Sequence, residues 1–337
     1  MQRRTIALTS SLGLVLMFVS STALAQYQLT NLVSNQVGVA QHTDPLLVNA
    51  WGMVHAPGSP WWISDNGSGW STLYNAAGVK QSLVVEIPTA SGGGVGSPTG
   101  DVFNGSQEFQ VKGWPSIFLF ATLDGTISGW APQVDPNNAI IAVTAPGAVY
   151  TGLAITSKAS GNFLFAADNA NNKVDMYDGN FKLVKSFTDT TLPAGFAPFG
   201  IRDLAGLVYV AFASSSGAAG GFIDIFKENG TFVKLLTHGG PLNQPWGVAA
   251  APSNFGPLSN TLLVSNNTNS GTINGFNAIT GQFVGTIKDT TGKIRIDQLW
   301  GIDFGDGMGS NGAKNRLFFT AGPDNNFAGT FGSIVFK

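Results

Sequence analysis

The sequence predicts an all-β protein, a six-bladed β-propeller of four-stranded antiparallel blades, and three observations carry that prediction. A glycine flanked by bulky or apolar residues returns about every fifty residues, an aromatic residue follows each glycine, and an apolar run lies between the two. Each repeat reads as several short strands joined by tight turns, and no stretch holds a sustained helical period with caps.

The glycine column is Gly52, Gly100, Gly152, Gly200, Gly247 and Gly301. A glycine at the start of each innermost strand is what six backbones crowding round a narrow channel require, because a Cβ there would obstruct its neighbour. The aromatic column is Tyr74, Trp130, Tyr177, Phe226, Phe276 and Phe336. Between them lie runs such as Trp61-Trp62-Ile63, Phe163-Leu164-Phe165 and Leu317-Phe318-Phe319. A turn and a further alternating strand follow the aromatic, which completes the four-stranded unit of a propeller blade. One blade cannot bury both of its faces, whereas six stacked radially can.

These columns set the blades at about residues 46–92, 96–145, 148–192, 196–240, 243–292 and 296–337. The last repeat ends on its third strand. Residues 27–35 form a strand-like leftover ahead of the first glycine, and they are expected to close the sixth blade and leave no open edge.

Residues 1–25 read as a cleavable signal peptide. Arg3 and Arg4 precede an apolar stretch over 6–19, and Ala23-Leu24-Ala25 is a small-x-small cleavage site. The stretch is shorter than the ~20 residues that span a bilayer, so the sequence implies an extracytoplasmic protein, secreted or periplasmic, with no membrane span after cleavage. The single propeller domain then covers 26–337.

Composition agrees. The chain has 44 Gly, 24 Phe and only 11% charged residues, which suits short strands and turns. Loss of Arg3 and Arg4 leaves 15 basic against 19 acidic residues, a net charge of −4, so there is no electrostatic footprint for nucleic acid. With no cysteine, disulfides, thiolate metal sites and a thiol nucleophile are excluded.

The repeats resemble those of NHL-type six-bladed propellers. The runs Asn49-Ala50-Trp51-Gly52, Ser64-Asp65-Asn66-Gly67 and Leu73-Tyr74-Asn75 are similar to an uncharacterised family of exported bacterial propeller proteins. That resemblance spans 27–337 and implies fold and export, and no particular reaction.

In such a blade the loop entering the inner strand and the loop between second and third strands share one face. The latter loops are rich in Asp and Asn, which makes Asp65, Asp168, Asn266 and Asp324 candidate ligands for Ca²⁺, a cation that takes six to eight oxygens. A Ca²⁺ there would be similar to that of the gluconolactonase- and paraoxonase-type lactonases, where the metal polarises an ester carbonyl. Those enzymes use a glutamate near the first inner strand, and residues 49–55 contain none. Ordinary turn chemistry is the competing account of these residues.

His42 and His238 fall in segments leading to inner strands and are candidate general bases, with Asp44 placed to orient His42. His55 follows an inner strand and belongs on the far side. Trp51, Tyr150, Phe199, Trp246 and Trp300 adjoin the glycine column, and they form either an aromatic ligand-binding mouth or inter-blade packing. The leading functional expectation is a binding scaffold for a protein, glycan or small-molecule ligand, using one loop face and the channel mouth. A Ca-dependent hydrolase or lactonase is the alternative, and a quinone-dependent dehydrogenase is disfavoured by the six-repeat count.

Overall fold

The computed structural model describes residues 26–156 and 161–337. The signal-peptide reading of 1–25 lies outside the described residues.

Six sheets stand round a central channel. From the channel outward, blade 1 is Ala50–Val54, Trp61–Asp65, Trp70–Tyr74 and Lys80–Glu86. Blade 2 is Pro98–Phe103, Phe118–Thr122, Thr126–Trp130 and Ile140–Thr144, and blade 3 is Tyr150–Thr156, Phe163–Asp168, Lys173–Asp178 and Leu183–Phe187. Blade 4 is Phe196–Leu204, Leu207–Ser214, Phe222–Lys227 and Phe232–His238, and blade 5 is Pro245–Ala250, Leu262–Asn266, Ile273–Phe276 and Phe283–Thr286. Blade 6 joins Leu299–Phe304, Leu317–Ala321 and Thr330–Phe336 to the N-terminal strand Tyr27–Ser34, so the ring closes as the strand arithmetic required. A short fifth strand, His42–Thr43, runs parallel outside it.

Burial explains why the middle strands read as unbroken apolar runs. Trp61–Asp65 is buried at every position because blades cover both of its faces, whereas Leu183–Phe187 on the rim is largely exposed. The aromatic column fills the seams: Tyr74 packs with Trp61 and Phe331 between blades 6 and 1, and Tyr177 with Tyr150 and Leu164 between blades 2 and 3. Phe226 packs with Phe165 and Phe212 between blades 3 and 4. Each fully buried aromatic of this kind contributes roughly 1.5–3 kcal/mol of transfer free energy.

All six inner strands carry a β-bulge at the glycine column, a feature that the repeat pattern does not reveal. In blade 1, Ala50 pairs with Asp65 and Met53 with Ile63, which leaves one extra residue on the inner strand, and the other five blades repeat the pattern. In blades 1, 4, 5 and 6 the residue before the glycine, Trp51, Phe199, Trp246 or Trp300, is aimed toward the axis.

None of the six glycines needs a left-handed backbone. Space is the reason for each. A Cβ on Gly52 would meet Thr99 and Asp101, one on Gly100 the backbone of Gly152 and Leu153, and one on Gly200 the Trp246 carbonyl. On Gly247 it would meet the Trp300 carbonyl, and on Gly301 that of Trp51, so the contacts pass from blade to blade round the ring. Gly152 is the loosest, its nearest contact being the Phe199 carbonyl at 3.2 Å.

Candidate functional site

The face on which the inner strands begin is called upper here. Its loops hold the Asp and Asn residues of the sequence reading, and each one serves its own blade. Asp168 accepts from Val149 N (3.1 Å), Asn171 N (3.3 Å) and Asn171 Nδ2 (2.7 Å), with Lys173 Nζ at 3.8 Å. Asp65 is buried and accepts from Thr72 Oγ1 at 2.7 Å, and burial pushes its carboxyl well above the ordinary range. Asn266 accepts from Asn243 N (3.0 Å) and donates to Pro241 O (2.7 Å). Asp324 is exposed, in a run of three left-handed residues, and its N–H donates to Asp297 at 3.0 Å. The four are thus not brought to one point, and they do not form the donor set that a shared Ca²⁺ on this face would need. Among the described residues no group of three or more His, Asp or Glu is placed to hold a metal ion.

The asparagine after Asp65, Asp168 and Asn266 has a different task. Asn66 donates to Pro98 O (3.1 Å), Asn169 to Pro198 O (2.9 Å) and Asn267 to Leu299 O (3.3 Å), each reaching the inner strand of the next blade. Blades 1, 3 and 5 therefore latch onto blades 2, 4 and 6 by an amide.

The two candidate histidines are a correction. His42 is exposed on the short strand outside the closing strand of blade 6, and His238 ends the outer strand of blade 4, stacked on Phe222 at 5.8 Å. Both occupy the rim of separate blades and not the channel mouth, because the segments leading to inner strands begin at the outermost strand. Asp44 does not serve His42: it accepts from Tyr74 Oη (2.6 Å) and pairs with Lys80 Nζ (2.7 Å). His55 lies on the lower side, its ring nitrogens facing Ala56 O (3.1 Å) and Phe304 O (3.2 Å), with Asp306 at 3.7 Å.

The bulges bring Trp51, Phe199, Trp246 and Trp300 together on the axis as one cluster with Leu123. Trp51 and Trp300 stack at 3.6 Å and 19°, Trp246 stands edge-on to Trp300 at 5.7 Å, and Phe199 packs on Trp300 at 5.6 Å. Trp246 Nε1 reaches Thr151 O at 2.9 Å and Trp300 Nε1 reaches Asn49 Oδ1 at 3.2 Å. All three indoles are less than a tenth exposed, so the mouth is floored by aromatic packing. Tyr150 departs from the group: it is fully buried in the seam between blades 2 and 3, bonded to Tyr177 Oη (2.6 Å) and Asp175 (3.0 Å).

Below that floor is a cavity of about 210 Å³, lined by five of the six column glycines, Met53, Leu153, Val248, Asp101, Arg202 and Asp203. Its charged groups come from the inner strands of two even blades, Asp101 from blade 2 and Arg202 and Asp203 from blade 4, and the inner strand of blade 6 adds Asp303 beside Arg202. The matching stretches of blades 1, 3 and 5, Met53-Val54, Leu153-Ala154 and Val248-Ala249, are apolar. Arg202 pairs directly with Asp303. The guanidinium is held charged first by Asp303, against its own burial, with Asp101 and Asp203 adding to the effect.

Asp101 is the anomaly. It stands one residue past its glycine, where the other five blades place Met53, Leu153, Ile201, Val248 and Ile302. It is 7% exposed, and among the described residues its carboxyl has no well-formed hydrogen bond, the Ser64 hydroxyl being the side chain placed to donate to it. Burial pushes its carboxyl well above the ordinary range, more than the Ser64 hydroxyl and the Arg202 charge pull it down. A carboxyl that keeps its proton in the fold and loses it near pH 4 in the unfolded chain makes stability fall as pH rises from about 4 through the folded pKa. Asp101→Asn is expected to flatten that slope and to gain about 1–3 kcal/mol over the native chain at neutral pH, read from urea unfolding across pH 4–8. Equal slopes in both proteins would refute the assignment.

The signal for this charged channel in the sequence is Gly100-Asp101, Ile201-Arg202-Asp203 and Ile302-Asp303, charges in strands otherwise apolar, which the Asp and Asn loops outweighed.

No family model matches the chain. Among solved structures it is similar to a catalytically inactive virginiamycin B lyase from Staphylococcus aureus with quinupristin, at 13% identity and TM-score 0.53 over 92% of this chain and 99% of that one. A streptogramin B lyase is similar at 12% identity and TM-score 0.51, over 93% and 98%. These likenesses are of fold. In sequence, uncharacterized protein L690 of Acanthamoeba polyphaga mimivirus is 28% identical over 93% of this chain and 87% of its own length. Uncharacterized protein R648 of the same virus is 30% identical over 93% of this chain and 81% of its own. These relatives are viral, where the sequence resemblance pointed to bacterial proteins. At that identity and coverage, the chain belongs to one family of six-bladed β-propellers with the mimivirus protein R648.

Proposed function

We propose that the protein is a non-catalytic binding protein of the extracytoplasmic space whose ligand, a small organic cation, occupies the central channel below the tryptophan floor. The observation that carries this reading is the buried Asp101 carboxyl in the channel wall, which has no well-formed hydrogen bond and only the Ser64 hydroxyl beside it among the described residues. A buried polar group without a partner costs about 1–3 kcal/mol, and a ligand that supplies the missing donor recovers it.

Charge and size narrow the ligand. The carboxylates of Asp203 and Asp303 act on one guanidinium, Arg202, and Asp101 adds a third negative charge once it gives up its proton, so the channel favours an added positive charge. The cavity of about 210 Å³ is smaller than the roughly 300–1,000 Å³ of drug-sized sites, which limits the occupant to a small amine or similar group. The leader-like pattern of residues 1–25 supports the compartment.

Calorimetric titration with propylammonium and, in parallel, propionate tests the reading. The amine is expected to bind, more tightly as pH rises because the cation pairs with ionised Asp101, and Asp101→Asn is expected to abolish the signal. Binding of propionate in preference to the amine, unchanged binding by the variant, or no heat from the amine would each overturn the proposal.

A further inference from the structure

Away from the channel, the seam between blades 3 and 4 holds two carboxyl groups. Asp224 lies on the third strand of blade 4, two residues before Phe226 and so on the same face of the strand. That face meets blade 3, since Phe226 packs on Phe187 at 4.8 Å. Asp189 follows Phe187 by two residues, and its carboxyl lies within hydrogen-bonding reach of Asp224.

Asp189 is oriented by its own loop: its Oδ1 accepts from Thr191 N (2.7 Å) and Thr191 Oγ1 (2.6 Å). Among the described residues its Oδ2 has no donor, and neither has either oxygen of Asp224. Asp189 is 7% exposed and Asp224 is fully buried. Among the described residues no cationic side chain acts on Asp224. The contrast with blade 3 is direct. Asp175, at the matching strand position, is supplied with donors by Tyr150 Oη (3.0 Å), Ser186 Oγ (2.5 Å) and Lys173 Nζ (2.9 Å).

From this geometry we infer that Asp189 and Asp224 form a buried site for a divalent oxygen-seeking cation, with Ca²⁺ as the fitting species, which clamps blade 3 to blade 4. Two carboxylates side by side in a low-dielectric seam must be neutralised. A shared proton forms one O–H···O bond and occupies two of the three donorless oxygens, whereas a cation engages all three. Ca²⁺ tolerates the irregular geometry, and waters or carbonyl groups complete its six to eight ligands.

Thermal unfolding of the chelator-treated full chain, with and without about 1 mM CaCl₂ at neutral pH, tests the site. The native protein is expected to gain a few degrees in Tm, the Asp224→Asn and Asp189→Asn variants to gain none, and Asp324→Asn, on the exposed upper loop, to respond like the native chain. Equilibrium dialysis with radioactive Ca²⁺ gives a second readout, one equivalent bound by the native chain and none by Asp224→Asn. A native Tm that ignores CaCl₂ while Asp224→Asn is more stable at neutral pH would assign the seam to a shared proton and overturn the site. A Tm gain retained by both Asp189→Asn and Asp224→Asn would place the cation elsewhere and overturn it equally.

Discussion

Replacing Gly200 by alanine is expected to destabilise the propeller by ~3 kcal/mol or more, while the same change at Gly152 costs less than about 1 kcal/mol. The two glycines occupy the same column and both have ordinary negative-side backbone angles, so conformational freedom is common to both and cancels. What differs is the neighbour. A Cβ on Gly200 would overlap the Trp246 carbonyl of blade 5, and backbone cannot swing aside as a side chain can. That carbonyl belongs to the residue whose indole helps floor the channel, so any shift propagates into the Trp246–Trp300 contact at 5.7 Å. On Gly152 the Cβ would sit 3.2 Å from the Phe199 carbonyl, which a few tenths of an ångström relieve. Chemical denaturation of both variants checks the difference, and equal costs would mean that the glycine column is not set by crowding at the axis.

Removal of residues 27–34 is expected to abolish cooperative unfolding. The strand Tyr27–Ser34 pairs along its length with Thr330–Phe336, and without it the third strand of blade 6 becomes an exposed edge. The loss reaches further than the edge. Leu32 and Val33 are buried with Trp61 and Phe331, and Tyr27 Oη donates to Phe255 O (2.7 Å) and accepts from Leu258 N (3.1 Å), tying blade 6 to blade 5. The ring would then be open where the two chain ends meet. Circular dichroism melting should show a broad, non-cooperative transition or aggregation, and a sharp melt within a few degrees of the full chain would show that closure is dispensable.

Much of the fold was legible because a propeller repeats its physics six times. The glycine, apolar and aromatic columns each had several chances to show themselves, and Tyr27–Ser34 was recoverable as the strand missing from the last repeat. The bulges were not legible, since one extra residue beside a glycine leaves no mark on a period-two pattern. That gap had consequences at the site. Without the bulge, Trp51 and Tyr150 looked equivalent as neighbours of the column; with it, Trp51 turns to the axis while Tyr150, one residue earlier in its repeat, turns into a seam.

The Asp and Asn loops misled for a different reason. Asp-Asn at the end of a second strand reads equally as turn, cation ligand or latch, and only the distances from Asn66, Asn169 and Asn267 to the next blade decide for the latch. His42 and His238 were placed by chain order, which says that a segment precedes an inner strand and does not say how far from the axis it lies. Asp101 and Arg202, by contrast, break the apolar character of their own strands. A charge in a strand that should face a crowded axis is costly, and costly residues are where function is best sought.

The most direct test of the channel as the ligand site is a crystal structure of the protein soaked with propylammonium beside one of Asp101→Asn treated alike. The account predicts an ammonium group against the Asp101 carboxyl, below Trp51, Trp246 and Trp300, in the native protein and an empty position in the variant. Density for the amine above the tryptophans, or on the rim of the blades, in the native protein would contradict it.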